Sequence, residues 1–581
     1  MNNALNRSTR KVFAASLSVI ILLTVLSSWL HSIEGDDRTP ASSVLVVPSS
    51  DRRAPSLPPR PVIKSDYYDK WRCPSGTDSA KTRAVASFLV STNNGYIQGA
   101  GVLGRSLVRH LNHTDTEQIL MVLDTVVLND EHSLFLARSG WTVCQVPLIE
   151  SAFQAKVFPR FREQFTKLAL FTWTRFKKVA YLDLDTLVVA DLSGLFECQE
   201  KLDPGLPTTN SHFNPRISHS CEFSASQDYA DGHFREGSFN AGVLVIKPSL
   251  PFFDQMMTMI ATREDYRVDM AEQGALNEVL RHTGWHQLPL EYNANLAIYM
   301  QDINLWAKHR DKMSVIHYTM VKPFDLAENA QEREWEPLEV WFEQAETTAI
   351  LITSTGLFSK LLLNEQLEKI RMFWNSTKTV DVIVFTDSTE VLGRKDDPNL
   401  IAIRHKQLGW PMDSLQRPGL YLSQEALLKS YTYLFSLDAD LVPFKEVTSA
   451  INGDLVGLIH PGFRASEPKD FTFERRPESS AYIAEGEGEH YYQASIYGGK
   501  AANILELWKA LKSNLEADSA KGLVAVWHEE SHLNRYFLEH PPTLQLGASY
   551  SFPTGWNIPE ESMIIEHRDK KMYGGHQRFR A

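Results

Sequence analysis

Cysteine is scarce in this 581-residue chain: there are four, Cys73, Cys144, Cys198 and Cys221, and none beyond residue 221. No two stand at Cys-x-x-Cys spacing, which speaks against a zinc site built on cysteine pairs. In an oxidising compartment Cys198 and Cys221 can close one loop as a disulfide; otherwise the four are free or buried thiols. Positive charge is also short. Lys and Arg number 59 against 71 Asp and Glu, a net charge of −12, whereas a nucleic-acid binder normally carries a basic excess. No fixed-period repeat is present.

What is there describes a folded chain, with 43% apolar, 10% aromatic and 22% charged residues. Its length exceeds one ordinary core, so two or more domains are expected. Val12–Leu30 is an uncharged apolar run long enough to span a bilayer as a helix. Arg7, Arg10 and Lys11 precede it, which predicts a cytosolic tail at 1–11 and a lumenal remainder. Trp29, Leu30 and His31 follow in place of small residues, so an uncleaved anchor is expected instead of a signal peptide. Residues 31–80 are rich in Pro, Ser and Arg and read as an extended stem. Asn112-His113-Thr114 and Asn375-Ser376-Thr377 are candidate glycan sites.

Beyond the stem, short β-rich runs alternate with helical patterns, the signature of α/β layers. One series includes AVASFLV, QILMVLD, KKVAYLDLD, AGVLVIKP and SVIHYT; a second includes AILITS, VDVIVFTD, YLFSLDAD, LVGLIH and QASIYGG. The acidic, helix-prone segment between them places a junction near 325–347. The halves share an organisation without sharing a sequence.

Each half also carries an apolar strand running into two aspartates one residue apart: Asp183 and Asp185 in VAYLDLDTLVV, Asp438 and Asp440 in YLFSLDADLVPF. Buried carboxylates are costly unless they hold a metal or are otherwise paired. At the carboxyl end of a strand in an open α/β sheet they face the crevice where ligands bind. Two hard oxygen donors there suit Mg²⁺ or Mn²⁺ bridging to a diphosphate. A single such pair is weak evidence, but two in the same context are poorly explained by chance. Lys322 is a candidate basic partner for the leaving group. His317 is a candidate third ligand, although a histidine after a strand is by itself more often structural.

Gly99, Gly101 and Gly104 form a Gly-x-Gly-x-x-Gly pattern, with Asp124 twenty residues beyond Gly104. In a dinucleotide-binding unit the glycines open the helix directly after the strand. Here STNNGYIQ intervenes, so they are expected inside the helix, allowing close packing. An NAD-dependent oxidoreductase is therefore the remote alternative.

In the first half, SFLVSTNNGYIQGAGVLGRSL, FTKLALF, YLDLDTLV, FNAGVLVIKPS, EQGALNEV and HYTMVKPF occur in the order of glycosyltransferase family 8. Residues 82–325 resemble those glycogenin-like enzymes. The resemblance implies a UDP-sugar donor, retention of anomeric configuration and Mn²⁺. It places Thr92, Asn93 and Tyr96 at the uridine and Lys167, Asn240 and Gln273 in the donor-sugar pocket. It makes Asp183, Asp185 and His317 metal ligands and puts Lys322 on the diphosphate. Two positions depart from the family: Glu272 replaces its Asp and Met320 its Gly, so this donor is left open. A lumenal anchor also argues against glycogen priming, which is cytosolic.

In the second half, VFTD, GWPMDSLQR, LDADLVPF, HPGF, DFTFERRPESSAYI, EGEHYYQASIYGG and AVWHEESHLNRYF run in the order of glycosyltransferase family 6. Residues 348–581 resemble the blood-group A and B transferases, α-1,3-galactosyltransferase and Forssman synthase. The resemblance implies UDP-galactose or UDP-N-acetylgalactosamine as donor and an α-1,3 linkage to a galactose-type acceptor. Asp438 and Asp440 then bind Mn²⁺, and Arg417 supports the donor. Glu530 is the carboxylate on the reacting face, as nucleophile or stabiliser of an oxocarbenium-like transition state. His460 and Trp527 fall on acceptor-binding positions, and Glu529 stands where the family usually has Asp. Gln493, Ala494 and Ser495 fall on the donor-selectivity segment, where Ser495 in place of Gly favours galactose. The segment EHRDKKMYGGHQRFRA corresponds to the tail that closes over UDP. Tyr491 and Tyr492 read equally as packing residues or as ligands, and Arg475 and Arg476 as partners of acidic neighbours, so these four are not counted in the site.

The expectation is therefore an α/β protein with two GT-A type (Rossmann-like nucleotide-diphosphosugar transferase) domains in tandem. Its parts are a tail at 1–11, a transmembrane helix at 12–30, a stem at 31–80, domains at 82–325 and 348–581, and a linker at 326–347. The expected function is a bifunctional, retaining, Mn²⁺- or Mg²⁺-dependent glycosyltransferase, a single-pass type II protein of the Golgi membrane with lumenal catalytic domains. Its expected partners are UDP-galactose or UDP-GalNAc, a second UDP-hexose, and a glycan acceptor on glycoprotein or glycolipid, with no nucleic acid. The alternative is a catalytic second domain beside a first domain that serves as scaffold or binding module.

Overall fold

The computed structural model of the chain describes residues 65–73, 81–197, 221–327, 330–374, 379–394, 397, 399–558 and 562–580. The expected tail and membrane helix, most of the stem, Cys198 and Asn375 lie outside the described residues. Among the described residues, no helix is long and apolar enough to cross a membrane.

Two mixed α/β domains follow one another. The first has strands β1 (Arg83–Leu89), β2 (Thr116–Leu123), β3 (Thr142–Val146), β4 (Lys178–Leu182) and β5 (Thr186–Val188). It continues with β6 (Phe223–Ala230), β7 (His233–Ile246), β8 (His286–Gln287), β9 (Ala294–Asn295) and β10 (Val315–His317). The second has β11 (Thr347–Ser354), β12 (Thr379–Thr386), β13 (Leu400–Arg404), β14 (Tyr433–Leu437) and β15 (Leu441–Pro443). It ends with β16 (Leu455–Ile459), β17 (Tyr492–Lys500), β18 (Leu544–Leu546), β19 (Phe552–Pro553) and β20 (Ile565–His567).

The main sheets have the same topology, β3-β2-β1-β4-β7-β6-β8 and β13-β12-β11-β14-β17-β16-β18. In both, the first four strands are parallel and the fifth is antiparallel to its neighbours. A three-stranded sheet accompanies each: β5-β10-β9 and β15-β20-β19. The central strands are continuous apolar runs because both faces are covered. On β1, Ala84, Ala86 and Phe88 point into one core and Val85 and Leu89 into the other. On β11, Ile350 and Ile352 alternate with Ala349 and Leu351 in the same way.

The Gly-rich pattern lies inside the helix Asn94–His110. A Cβ on Gly101 would meet Phe135 at 2.3 Å, and one on Gly104 the Ser139 carbonyl oxygen at 2.4 Å. These glycines serve helix packing. The acidic junction forms the helix Glu336–Ala345, whose Leu338 and Trp341 are buried with Val102, Leu187 and Tyr318 of the first domain. Within the segment read as stem, Ser65–Trp71 forms a 3-10 helix whose Tyr68 and Trp71 join the first core. Cys73 is bonded to Cys144 on β3. Cys221 is also disulfide-bonded.

The domains meet at a polar seam. Arg138, ending the helix Asp130–Arg138, lies 2.6 Å from Asp381 Oδ2 near the amino end of β12. Tyr431, just before β14, donates its hydroxyl to the same oxygen at 2.6 Å.

Candidate active site

The aspartate pairs follow directly on β4 and β14, at the carboxyl edge of each sheet where the strand order reverses, the usual place for ligands in open α/β sheets. The two surroundings correspond in the cations that face each aspartate.

In the first domain, buried Lys167 lies 2.9 Å from Asp183 Oδ1 and 2.9 Å from Glu272 Oε1. Burial opposes its charge, but the two carboxylates raise its pKa above the ordinary value. Burial, with a smaller push from the Asp183 charge, raises Glu272 against the pull of Lys167. Tyr181 donates its hydroxyl to Asp183 Oδ1 at 2.8 Å. His317 directs Nε2 at Asp185 Oδ1 (3.5 Å) and Asp183 Oδ2 (3.9 Å). Its Nδ1 is 2.8 Å from Asn293 Oδ1, and the Asn293 amide donates to Asn240 Oδ1 at 3.2 Å. An amide oxygen only accepts, so Nδ1 carries a proton and Nε2 is held toward the aspartates. Lys322 donates to Asp185. Despite burial, Lys322 and His317 hold Asp185 well below the ordinary carboxylate range. One ligand atom each from Asp183, Asp185 and His317 lies within 4.8 Å of the others, and this oxygen and imidazole donor set fits a divalent cation.

The other residues expected in this site surround it. Asn93 caps its helix by accepting from the Tyr96 backbone N–H at 3.2 Å, and Thr92 precedes it, half-buried. Tyr96 packs on Phe324, with ring centroids 5.5 Å apart. Gln273 Oε1 accepts from Ala241 N–H at 2.9 Å, beside Asn240.

In the second domain Arg417 plays the part of Lys167. It lies 2.8 Å from Asp438 Oδ1 and 3.4 Å from Glu529 Oε1. The Arg417–Asp438 contact misses hydrogen-bond geometry, leaving a buried Asp438 oxygen without a donor. Burial, against the pull of Arg417, and the nearby Asp440 and Glu529 charges raise Asp438 to about 6. A crowded carboxylate set with an orphaned oxygen is what a divalent cation would satisfy. Asp440 Oδ2 lies 3.3 Å from His567 Nε2 and 2.5 Å from Lys570 Nζ. These two cations hold Asp440 well below the ordinary range, despite burial.

Glu529 and Glu530 open the helix Glu529–Glu539, after His528 at φ +56°, a backbone state normally left to glycine. Glu272 and Gln273 follow Ala271 at φ +48° in the same manner. Glu530 accepts from Tyr491 Oη and from Ala494 N–H, each at 3.0 Å. Burial raises its pKa to about 7, while those two hydrogen bonds pull the other way.

The residues expected at the acceptor side flank this carboxylate. His460, lowered to about 4 by burial, has its ring centroid 5.8 Å from that of Tyr491. Trp527 is 47% exposed, with its Nε1–H on Thr472. Buried Ser495 donates to Ser551, and Ser551 donates to Gln493 Oε1. Tyr491, left open in the sequence between packing and contact, does both: it sits in an aromatic cluster and donates to Glu530. Arg476 pairs with Glu474, and Arg475 donates to the Ile483 and Ala484 carbonyls, both structural roles.

Comparison with known proteins agrees with this geometry. The glycosyl transferase family 8 profile matches residues 88–327, and the glycosyltransferase family 6 profile matches residues 338–571. The chain is 31% identical over 229 residues to globoside alpha-1,3-N-acetylgalactosaminyltransferase 1 of Gallus gallus, covering 38% of this chain and 65% of that enzyme. It is 38% identical over 139 residues to histo-blood group ABO system transferase 2 of Rattus norvegicus, covering 23% and 42%. It is 32% identical over 190 residues to the O-antigen biosynthesis glycosyltransferase WbnI of Escherichia coli, covering 32% of this chain and 80% of that enzyme. The matches thus span less than two thirds of the two animal enzymes. Two mixed α/β domains with paired aspartates at equivalent strand ends, matched in that order by the two profiles, place the chain among the glycosyltransferases, as a family 8 domain followed by a family 6 domain.

Proposed function

We propose that the protein is a bifunctional hexosyltransferase in which each domain uses a UDP-sugar and a divalent cation, Mn²⁺ or Mg²⁺, and transfers with retention. The observation that carries this reading is that both paired-aspartate sites are equipped with a buried cation on the first aspartate and a histidine and lysine on the second. When bound, the cation would supply Lewis-acid stabilisation of the diphosphate leaving group. Asp183, Asp185 and His317 would hold it in the first domain, and Asp438 and Asp440 in the second.

The chain's own groups do the rest. Lys322 and Lys570 bring positive charge to the side where the diphosphate develops its negative charge. Tyr491 Oη and Ala494 N–H fix the Glu530 carboxylate, which meets the anomeric carbon as nucleophile or as stabilising charge. His460 and Trp527 offer the acceptor an imidazole and an exposed aromatic face. The C-terminal domain forms α-1,3-linked galactose or N-acetylgalactosamine, with Ser495 favouring galactose, and the N-terminal domain transfers a second hexose onto a glycan of glycoprotein or glycolipid. The Cys73–Cys144 disulfide supports an oxidising compartment, in keeping with a Golgi membrane protein anchored through Val12–Leu30.

A screen of UDP-sugars on wild type, Asp183→Asn and Glu530→Gln, followed by linkage analysis, tests the reading. Each variant is expected to lose a different transfer. Absence of hydrolysis and transfer from every UDP-sugar with Mn²⁺ would overturn it, and loss of all activity in Glu530→Gln alone would leave one catalytic domain.

A further inference from the structure

The two small sheets have a common register that the two amino-acid sequences do not share. In the first domain β10 runs antiparallel to β5 and sets His317 opposite Thr186, the residue after Asp185. In the second, β20 runs antiparallel to β15 and sets His567 opposite Leu441, the residue after Asp440. The parallel neighbour on the far side supplies Asn295 opposite His317 and Pro553 opposite His567. The next residue donates its N–H to the carbonyl of the second aspartate in both: Tyr318 to Asp185 at 2.8 Å and Arg568 to Asp440 at 2.9 Å.

The imidazoles are oriented alike as well. Asn293, two residues before Asn295, takes the Nδ1 proton of His317. Ser551, two residues before Pro553, lies 3.2 Å from His567 Nδ1. The Ser551 hydroxyl proton goes to Gln493 Oε1 at 3.1 Å, so its lone pairs are left to accept from Nδ1–H. His567 Nε2 is then turned toward Asp440 Oδ2, 3.3 Å away. Metal-ligating histidines are commonly fixed through their other nitrogen in this way.

We propose that His567 Nε2 is a third protein ligand, with Asp438 and Asp440, to the divalent cation of the C-terminal domain, and that Ser551 is its positioning residue. This rests on the reading of that domain as metal-dependent. An imidazole in an otherwise carboxylate site favours Mn²⁺ over Mg²⁺, because nitrogen donors rank with the transition metals. Ser551 also contacts Gln493 and Ser495, so the segment expected to choose the sugar is linked through Ser551 to the proposed ligand.

The test uses the chain carrying Asp185→Asn, which disables the first metal site and leaves the second as reporter. Mn²⁺ is titrated with UDP present, and the bound ion is examined by pulsed electron paramagnetic resonance. Expected are Mn²⁺ binding that disappears on adding Asp440→Asn, and nitrogen coupling of a directly bound imidazole. Adding His567→Ala is expected to abolish the coupling and weaken Mn²⁺ by roughly tenfold or more, with a smaller loss for Mg²⁺. Asp440-dependent Mn²⁺ binding without nitrogen coupling would overturn the role of His567 while leaving metal dependence intact, and it needs no variant of His567 that must fold. Binding of UDP with no Mn²⁺ at any accessible concentration would overturn the metal reading itself.

Discussion

Replacing Glu530 by Gln removes a charge that the fold holds largely out of water. Burial raises this carboxyl from an ordinary 4.5 to about 7, so the folded domain binds its proton more tightly than the unfolded chain does. The contribution to stability is therefore full below about pH 4.5 and is lost as pH rises through about 7. At about 1.4 kcal/mol per unit, the ionised carboxylate costs about 3 kcal/mol at pH 8 and about 1.4 kcal/mol at pH 5.5. Glu530→Gln is freed of this cost and should gain about 2 kcal/mol more at pH 8 than at pH 5.5, an upper bound because the side chain keeps an edge to solvent. For a domain of this size that is a difference in Tm of roughly 4–8 °C. The assay is scanning calorimetry of wild type and variant at both pH values, without metal or donor. Transfer by the C-terminal domain should fall by about a hundredfold or more in the variant, and wild-type activity should rise through about pH 7 as the carboxylate forms. The same Tm difference at both pH values, or near-normal transfer by Glu530→Gln, would refute this account of the site.

Three further outcomes are expected. Arg138→Ala strips the nearer cation from Asp381 at the seam and should destabilise the pair of domains by about 2–4 kcal/mol, read as a lowered Tm and faster proteolysis near the helix Glu336–Ala345, with Asp381→Asn in the same background restoring part of the loss. Ser495→Gly should raise kcat/KM for UDP-GalNAc relative to UDP-galactose by roughly tenfold or more, the scale on which a small pocket change discriminates, measured by direct competition of the two donors. Gly104→Ala sets a methyl group against the Ser139 carbonyl and the Trp141 ring, and should cost about 1–3 kcal/mol by overpacking without changing KM for either donor.

The parts of this fold written locally were legible in the sequence. The apolar run before Asp183 and that before Asp438 mark buried strands, and the intervening STNNGYIQ placed the glycines inside a helix, where the structure has them. Features made by distant pairing were not. His567 reaches Asp440, 127 residues before it in the chain, only because β20 returns to lie on β15, and nothing near His567 marks it as a ligand. Asn293 and Ser551 are ordinary polar residues until strand register puts them behind an imidazole. Tyr491 lies in an aromatic cluster, so its side chain reads as core and only the position of its hydroxyl reveals the contact with Glu530. The cysteines make the same point: nothing near Cys73 marks Cys144 as its partner, across a separation of 71 residues.

The seam has a bearing on traffic between the two sites. Asp381 and Tyr431 meet the first domain at the amino edge of β12 and β14, whereas Asp438 and Asp440 stand beyond the carboxyl end of β14, a strand length away at about 3.3 Å per residue. The second aspartate pair therefore stands at the edge of its sheet opposite the seam. Under the proposed bifunctional reading, what one polypeptide offers the two sites is a shared address: an acceptor released by one is set free where the other is already concentrated.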